Sequence, residues 1–170
     1  PKVIKEVPNV LYVIAGQGKR ESHLRKTAIE LGVDSKVIFT GYVEDTELPS
    51  LYCTCDIFIM PCIVLDNKHD YEGFGIVFNE ANACGKPVIA GRSGGIEDAV
   101  VDGVTGLLVN PENTEEISQA ISRLLIDREF AQKLGETGRK RTESELSWEK
   151  VGKQLNQLLH DVVKKRQIMQ

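Results

Sequence analysis

Glu72 and Glu80 stand on either side of a glycine-bracketed turn, Gly73-Phe74-Gly75, with seven residues between them. Two carboxylates this close can hold hydroxyl donors, while the turn between them can present backbone N–H groups to an anion. The segment from Ile76 to Cys84 has a helical pattern and is stopped by Gly85. At about 100° per residue, Glu80 shares a face with Ile76 and Val77 before it and with Ala83 and Cys84 after it. That spacing sets a carboxylate into an apolar stripe, where it needs a cation or hydrogen-bond donors to offset burial. Ligand hydroxyls meet that need, and so do neighbouring backbone groups. Glu72 sits at the rim of the turn, where a solvated acid also favours a helix N-terminus without any ligand.

Three more glycine-marked loops follow apolar runs. Gly16-Gln17-Gly18 leads into Lys19 and Arg20, whose charges add to the anion preference of a helix start. This G-x-G lacks the third glycine of the dinucleotide fingerprint and the acidic residue that ends the next strand, which argues against NAD. Gly41-Tyr42-Val43-Glu44-Asp45 reads as a strand-to-helix turn, with Asp45 or Thr46 as the cap. Gly91-Arg92-Ser93-Gly94-Gly95 offers a further set of N–H groups before a short helix from Ile96, in which Glu97 and Asp98 are first-turn acids.

These loops have to be held by something. Short β-branched runs recur at 10–15, 36–40, 56–60, 87–90 and 106–109, with helical patterns at 19–31, 46–55 and 76–84 between them. Alternation of this kind predicts an α/β fold, a Rossmann-like parallel sheet flanked by helices, with ligands beyond the carboxyl ends of the strands. From Asn113 onward the pattern is helix only, with expected helices from 113 to 125, 127 to 135 and 148 to 164.

At 170 residues, with a net charge of -4 and a pI near 5.5, the chain has the size of one domain and no global attraction to nucleic acid or an anionic membrane. The basic clusters Arg139-Lys140-Arg141 and Lys164-Lys165-Arg166 read as solvated helix faces. No run approaches the roughly 20 apolar residues of a membrane span, and no leader pattern is visible, so the expectation is a cytoplasmic protein. Cys53, Cys55, Cys62 and Cys84 lack the spacing of a disulfide framework or a zinc site and read as buried free thiols.

The run Glu72-Gly73-Phe74-Gly75, then Glu80, then Ala83-Cys84-Gly85-Lys86-Pro87-Val88-Ile89-Ala90 resembles the signature of retaining glycosyltransferases of family 4. Blocks in the same order along the chain extend the likeness: 13–18, 37–41, 56–61, 94–98 and 102–109. The resemblance implies the GT-B architecture, two Rossmann-like domains with a cleft between them, residues 1–170 being the C-terminal, donor-binding half. By the same resemblance Glu80 holds the ribose hydroxyls and Glu72 contacts the donor sugar in the catalytic position. Main-chain N–H groups of Gly73, Phe74, Gly75, Ile76 and Val77 meet the diphosphate or sugar, Val43 reads the base through its backbone, and Gly16 and Gly18 lie near the phosphates. Arg20, Gly94 and Gly95 are further candidates from the residue reading.

The implied reaction moves a sugar from a nucleoside-diphosphate sugar to an acceptor with retention at the anomeric carbon, with no metal and no cofactor. The partners are that donor and an N-terminal acceptor domain of the same protein, through which any peripheral membrane contact would be made. The family's diphosphate-neutralising Arg and Lys follow a first strand that is not in this sequence, so the chain by itself is expected to bind a donor weakly and to be inactive. The stretch from Cys62 to Tyr71 is longer than in many members, and Asp66, Lys68, His69 and Asp70 would shape sugar choice there. Alternatives are a stand-alone nucleotide-binding module and a nucleotide-sugar epimerase on the same fold.

Overall fold

Five β-branched or aliphatic runs each form a short parallel strand: β1 (Tyr12–Ala15), β2 (Val37–Gly41), β3 (Phe58–Met60), β4 (Val88–Gly91) and β5 (Gly106–Val109). The structure is a computed structural model and describes residues 1–63 and 73–168, the side chains of 165–168 excepted. Before, between and after the strands run α1 (Lys2–Glu6), α2 (Glu21–Glu30), α3 (Leu48–Thr54), α4 (Ile76–Ala83), α5 (Ile96–Ala99), α6 (Thr114–Ile126), α7 (Arg128–Arg141) and α8 (Trp148–Ile168). β1 pairs with β2, Ile14 opposite Phe39, and β4 is the middle strand of β3-β4-β5. The parallel, helix-flanked, Rossmann-like architecture expected from the alternation is the one observed.

β4 is buried along its whole length, as a strand covered on both faces must be. Side chains alternate along a strand, so Val88 and Ala90 face one layer and Ile89 the other. The first layer packs them with Phe78 and Ala81 of α4, Ile96 and Ala99 of α5, Val100 and Leu108. In the second, Ile89 and Val109 meet Ala120 and Leu124 of α6 and Ala131 and Leu134 of α7. Each fully buried side chain of this size contributes about 1.5–3 kcal/mol from burial, and Phe78 is the largest of them.

Helix ends follow local chemistry in part. Asn113 caps α6, its side chain accepting from the Glu115 and Glu116 amides, as its type and place predict. The start of α3 differs: neither Asp45 nor Thr46 caps it, and Glu47 occupies the N-cap with no side-chain bond, Pro49 setting the first turn. α7 was expected to end at Gly135 and instead runs on to Arg141. Gly135 and Gly138 there mark close packing, since a Cβ would meet the Gly85 carbonyl at the first and the Asn82 amide at the second. Asn82 is buried and donates to Lys86 O at 2.9 Å and Thr105 O at 3.2 Å, tying the end of α4 to the turns before β4 and β5.

Arg141 also departs from the solvated-face reading. Its guanidinium donates to Ala99 O and Asp98 O, each at 2.7 Å, and closes the carbonyl end of α5. The cysteines form no disulfide among the described residues and are not fully buried: Cys53 is exposed and the other three are half-buried. α8 carries an apolar face, Leu155, Leu158, Leu159 and Val162, exposed to solvent, and Trp148 at its start is exposed as well. Among the described residues no helix is long and apolar enough to cross a membrane.

Candidate functional site

α4 is the centre of the site because the sequence gives it two different ends. At its start Gly75 sits at the N-cap with φ 77°, a left-handed conformation that glycine adopts without steric cost. The first amides of any helix lack intrahelical acceptors. Here those of Ile76 and Val77 have no acceptor among the described residues, while Phe78 N bonds back to Gly75 O at 3.0 Å. Oriented amides of this kind at a helix start favour an anion.

The Gly73-Phe74-Gly75 turn is fixed from behind by the loop after β4. Gly95 lies so close under it that a Cβ at that position would run into the Gly73 carbonyl. Gly94 adopts φ 59° in the same loop. The two loops therefore meet at backbone contact. Arg92, in that loop, is turned away from any phosphate role: its Nη2 donates to Leu108 O at 3.1 Å and pairs with Asp102 Oδ2 at 3.3 Å.

Glu80 differs from the expectation of a carboxylate embedded in an apolar stripe. It is exposed. The buried face of α4 is Phe78, Asn79, Ala81 and Asn82, and Ile76, 49% exposed, lies on the open side with Glu80. Helical spacing fixes which residues share a face but not which face meets the core, and Phe78 wins that competition by its apolar area.

What holds Glu80 is Tyr52 of α3, whose hydroxyl donates to Glu80 Oε2 at 2.8 Å. Tyr52 meets Phe58 edge-to-face at 5.5 Å between centroids, and Phe58 meets Phe78 the same way at 5.7 Å. This aromatic ladder runs from the core to the carboxylate. Burial, then the hydrogen bond and charge of Glu80, pushes the Tyr52 phenol well above its ordinary value of 10.0. The phenol therefore stays a donor: a raised pKa leaves its contribution complete below pH 10 and removes it only as the pH climbs beyond. Glu80 Oε1 accepts no hydrogen bond among the described residues, so one carboxylate oxygen is oriented and the other is open.

Sequence reading missed Tyr52, because nothing local marks a partner 28 positions away. Replacing it by Phe removes one hydrogen bond to a charged acceptor while keeping the aromatic packing. The expected result is a ligand affinity at Glu80 weaker by about 3- to 10-fold, with unfolding little changed because Glu80 is exposed and the half-buried ring keeps its packing. Titration of both proteins at pH 7 and pH 9 checks this, and the ratio should be the same at both.

The other candidates distribute along strand ends. Gly16 follows β1 with φ 109° and donates to Gly41 O at 2.8 Å, so the loops after β1 and β2 are joined. Gly18 is open, Arg20 is the exposed N-cap of α2 with no side-chain cap bond, and Val43 is half-buried after β2. Phe74 is 37% exposed and Val77 half-buried. Glu72 lies outside the described residues, as do Asp66, Lys68, His69 and Asp70. A groove of about 280 Å3 between β5 and α6, lined by Leu107, Val109, Ala120 and Arg123 among others, includes none of the candidates.

The family described as Glycosyl transferases group 1 matches residues 1–141. A GDP-mannose-dependent alpha-(1-6)-phosphatidylinositol monomannoside mannosyltransferase of Mycobacterium tuberculosis is 39% identical over 159 residues, 94% of this chain and 41% of that protein. The chain thus spans about two fifths of the length of that relative. Among solved structures, sucrose-phosphate synthase from Thermosynechococcus elongatus is 28% identical with a TM-score of 0.77, covering 96% of this chain and 42% of that one. Anabaena HepE in complex with UDP has a TM-score of 0.81 at 24% identity, over 94% and 44% of the two chains, and shows the shared fold.

Proposed function

The chain belongs to the group 1 glycosyl transferases, and from that premise we propose that it supplies the donor site of an enzyme transferring a sugar from a nucleoside-diphosphate sugar with retention of anomeric configuration. One observation carries the reading. The amides of Ile76 and Val77, without an acceptor among the described residues, and the outward carboxylate of Glu80, held by Tyr52, lie on one eight-residue helix. A nucleoside diphosphate has a matching pair of features, an anion and two vicinal hydroxyls, and an ionised carboxylate can accept from both hydroxyls.

In this reading the diphosphate lies at the start of α4, steadied by the amides of the Gly73–Gly75 turn and the loop at Gly94 and Gly95. The ribose meets Glu80, and Val43 lies toward the base. Glu72 contacts the sugar. Departure of the nucleoside diphosphate is helped by positioning and by fixed amide dipoles at the developing charge, with no metal or cofactor assigned.

The rest of the active site is assigned to the remainder of the protein. β1 pairs only with β2 and β3 only with β4 among the described residues, and Leu11, Tyr12 and Val13 are exposed although apolar. A further parallel strand between β1 and β3 would join the two sheets and place its following loop, with cationic residues, beside α4. The acceptor belongs to an N-terminal domain. A cytoplasmic location accords with this reading.

The mycobacterial relative's name makes GDP-mannose the first donor to try. Calorimetric titration of the full-length protein with GDP-mannose, UDP-glucose and ADP-glucose is expected to give saturable binding of at least one. Proton NMR of the product of that donor is expected to show the donor's anomeric configuration. Binding of none would overturn the donor reading; an inverted product would overturn retention alone.

A further inference from the structure

Cys84 closes the C-terminus of α4 against α3, its Sγ donating to Pro49 O at 3.9 Å. In a helix the carbonyl of residue 49 points at the amide of residue 53, and side chains lean back toward the N-terminus. The Cys53 thiol therefore overhangs the spot where the Cys84 sulfur sits, and the two thiols act on each other there. Cys55 is directed differently, its Sγ donating to Tyr52 O at 3.2 Å within its own turn. Lys86 and Arg139 bring positive charge to the pair.

Cys53 is exposed and Cys84 half-buried, which divides their roles. We propose that Cys53 and Cys84 are a reversible dithiol, a modification site that a hydroperoxide converts into a disulfide bridging α3 to α4. The exposed Cys53 sulfur, as thiolate, attacks a peroxide oxygen. The O–O bond breaks, and the leaving oxygen takes up a proton to leave as water, giving a sulfenic acid. Cys84 then attacks Cys53 Sγ, the S–O bond breaks, and hydroxide leaves with the Cys84 proton as a second water. Two thiols lose two electrons and two protons, and one hydrogen peroxide becomes two waters. Burial pushes the Cys84 thiol up, which suits it to the second step rather than the first. The bridge would sit one residue from Tyr52 and four from Glu80. It stands on the placement of Cys84 against α3 and does not depend on the donor reading.

The test uses the full-length protein treated with one equivalent of hydrogen peroxide, alkylated, digested with trypsin without reductant and mapped by mass spectrometry. A linked pair of peptides 37–68 and 69–92 is expected, with fragmentation placing the bridge at Cys53 and Cys84. Dithiothreitol should dissolve it. Cys53→Ser should cut its yield at least tenfold, and Cys55→Ser should leave it unchanged. The proposal is overturned if the bridge forms through Cys55, if its yield survives Cys53→Ser, or if Cys53 goes to sulfinic acid with no linked pair. Fragmentation of the wild-type pair decides the matter even if a serine variant fails to fold.

Discussion

Glu80→Gln is expected to weaken nucleoside-diphosphate binding by the full-length protein about 10- to 150-fold, the equivalent of about 1.5–3 kcal/mol for a hydrogen bond to a charged group. The amide keeps the size of the side chain but cannot accept from two vicinal hydroxyls with a full charge, and one of its two acceptor sites is still claimed by Tyr52. Because Glu80 is exposed, unfolding should shift by no more than about 0.5 kcal/mol. The contrast between the two numbers is the informative part. A variant that loses stability and affinity together would point to a structural carboxylate, whereas loss of affinity alone identifies a ligand-holding one. Calorimetry with the preferred donor and urea denaturation measure both.

Gly95→Ala is the second large effect. A methyl at that position has no room, because the Gly73 carbonyl occupies its place and Phe74 N lies 3.5 Å away. Gly73 is exposed and can yield, so relief comes from moving the turn outward rather than from unfolding the core. The amides of Ile76 and Val77 would then lose their fixed relation to the turn. Preorganised dipoles act only while they are aimed, so donor affinity should fall at least about 10-fold, against a stability loss near the lower end of the roughly 1–3 kcal/mol seen for overpacking. Gly103→Ala adds its methyl to open space at a positive φ and so reports backbone strain without collision, whereas Gly95, at φ -80°, reports collision without that strain. Calorimetric titration of Gly95→Ala and of Gly103→Ala, each against the unsubstituted protein, separates the two.

Much of the fold was legible because its signals are physical and local. The run Val88-Ile89-Ala90 is apolar throughout because β4 is covered on both faces, and Asn113 stands where a side-chain oxygen can meet two orphan amides. Gly85, with φ 71°, ends α4 as its type suggests. Gly135 carries the same letter for another reason, close approach to a backbone carbonyl, and a single sequence does not distinguish the two. That is why α7 is longer than its pattern implies.

The site was legible in its parts and not in its orientation. The spacing of Glu80 with Ile76, Val77, Ala83 and Cys84 identified a face and assigned it to the core, whereas Phe78 and Ala81 fill the core and turn that face outward. The consequence changes the argument for Glu80. It is available to a ligand because it is open and already oriented, and no longer because burial demands a partner. Tyr52 and the ladder through Phe58 to Phe78 depend on contacts between distant segments and leave no local trace. The contact between Gly73 and Gly95 is of the same kind, joining loops that the sequence could only set side by side.

The most direct measurement of the central claim is a crystal structure of the full-length protein with a bound nucleoside diphosphate. The account predicts ribose hydroxyls at about 2.5–3.2 Å from the Glu80 carboxylate, with the diphosphate on the Ile76 and Val77 amides and Tyr52 still bonded to Glu80. A nucleotide bound with its ribose away from Glu80, or its phosphates away from the start of α4, would contradict it.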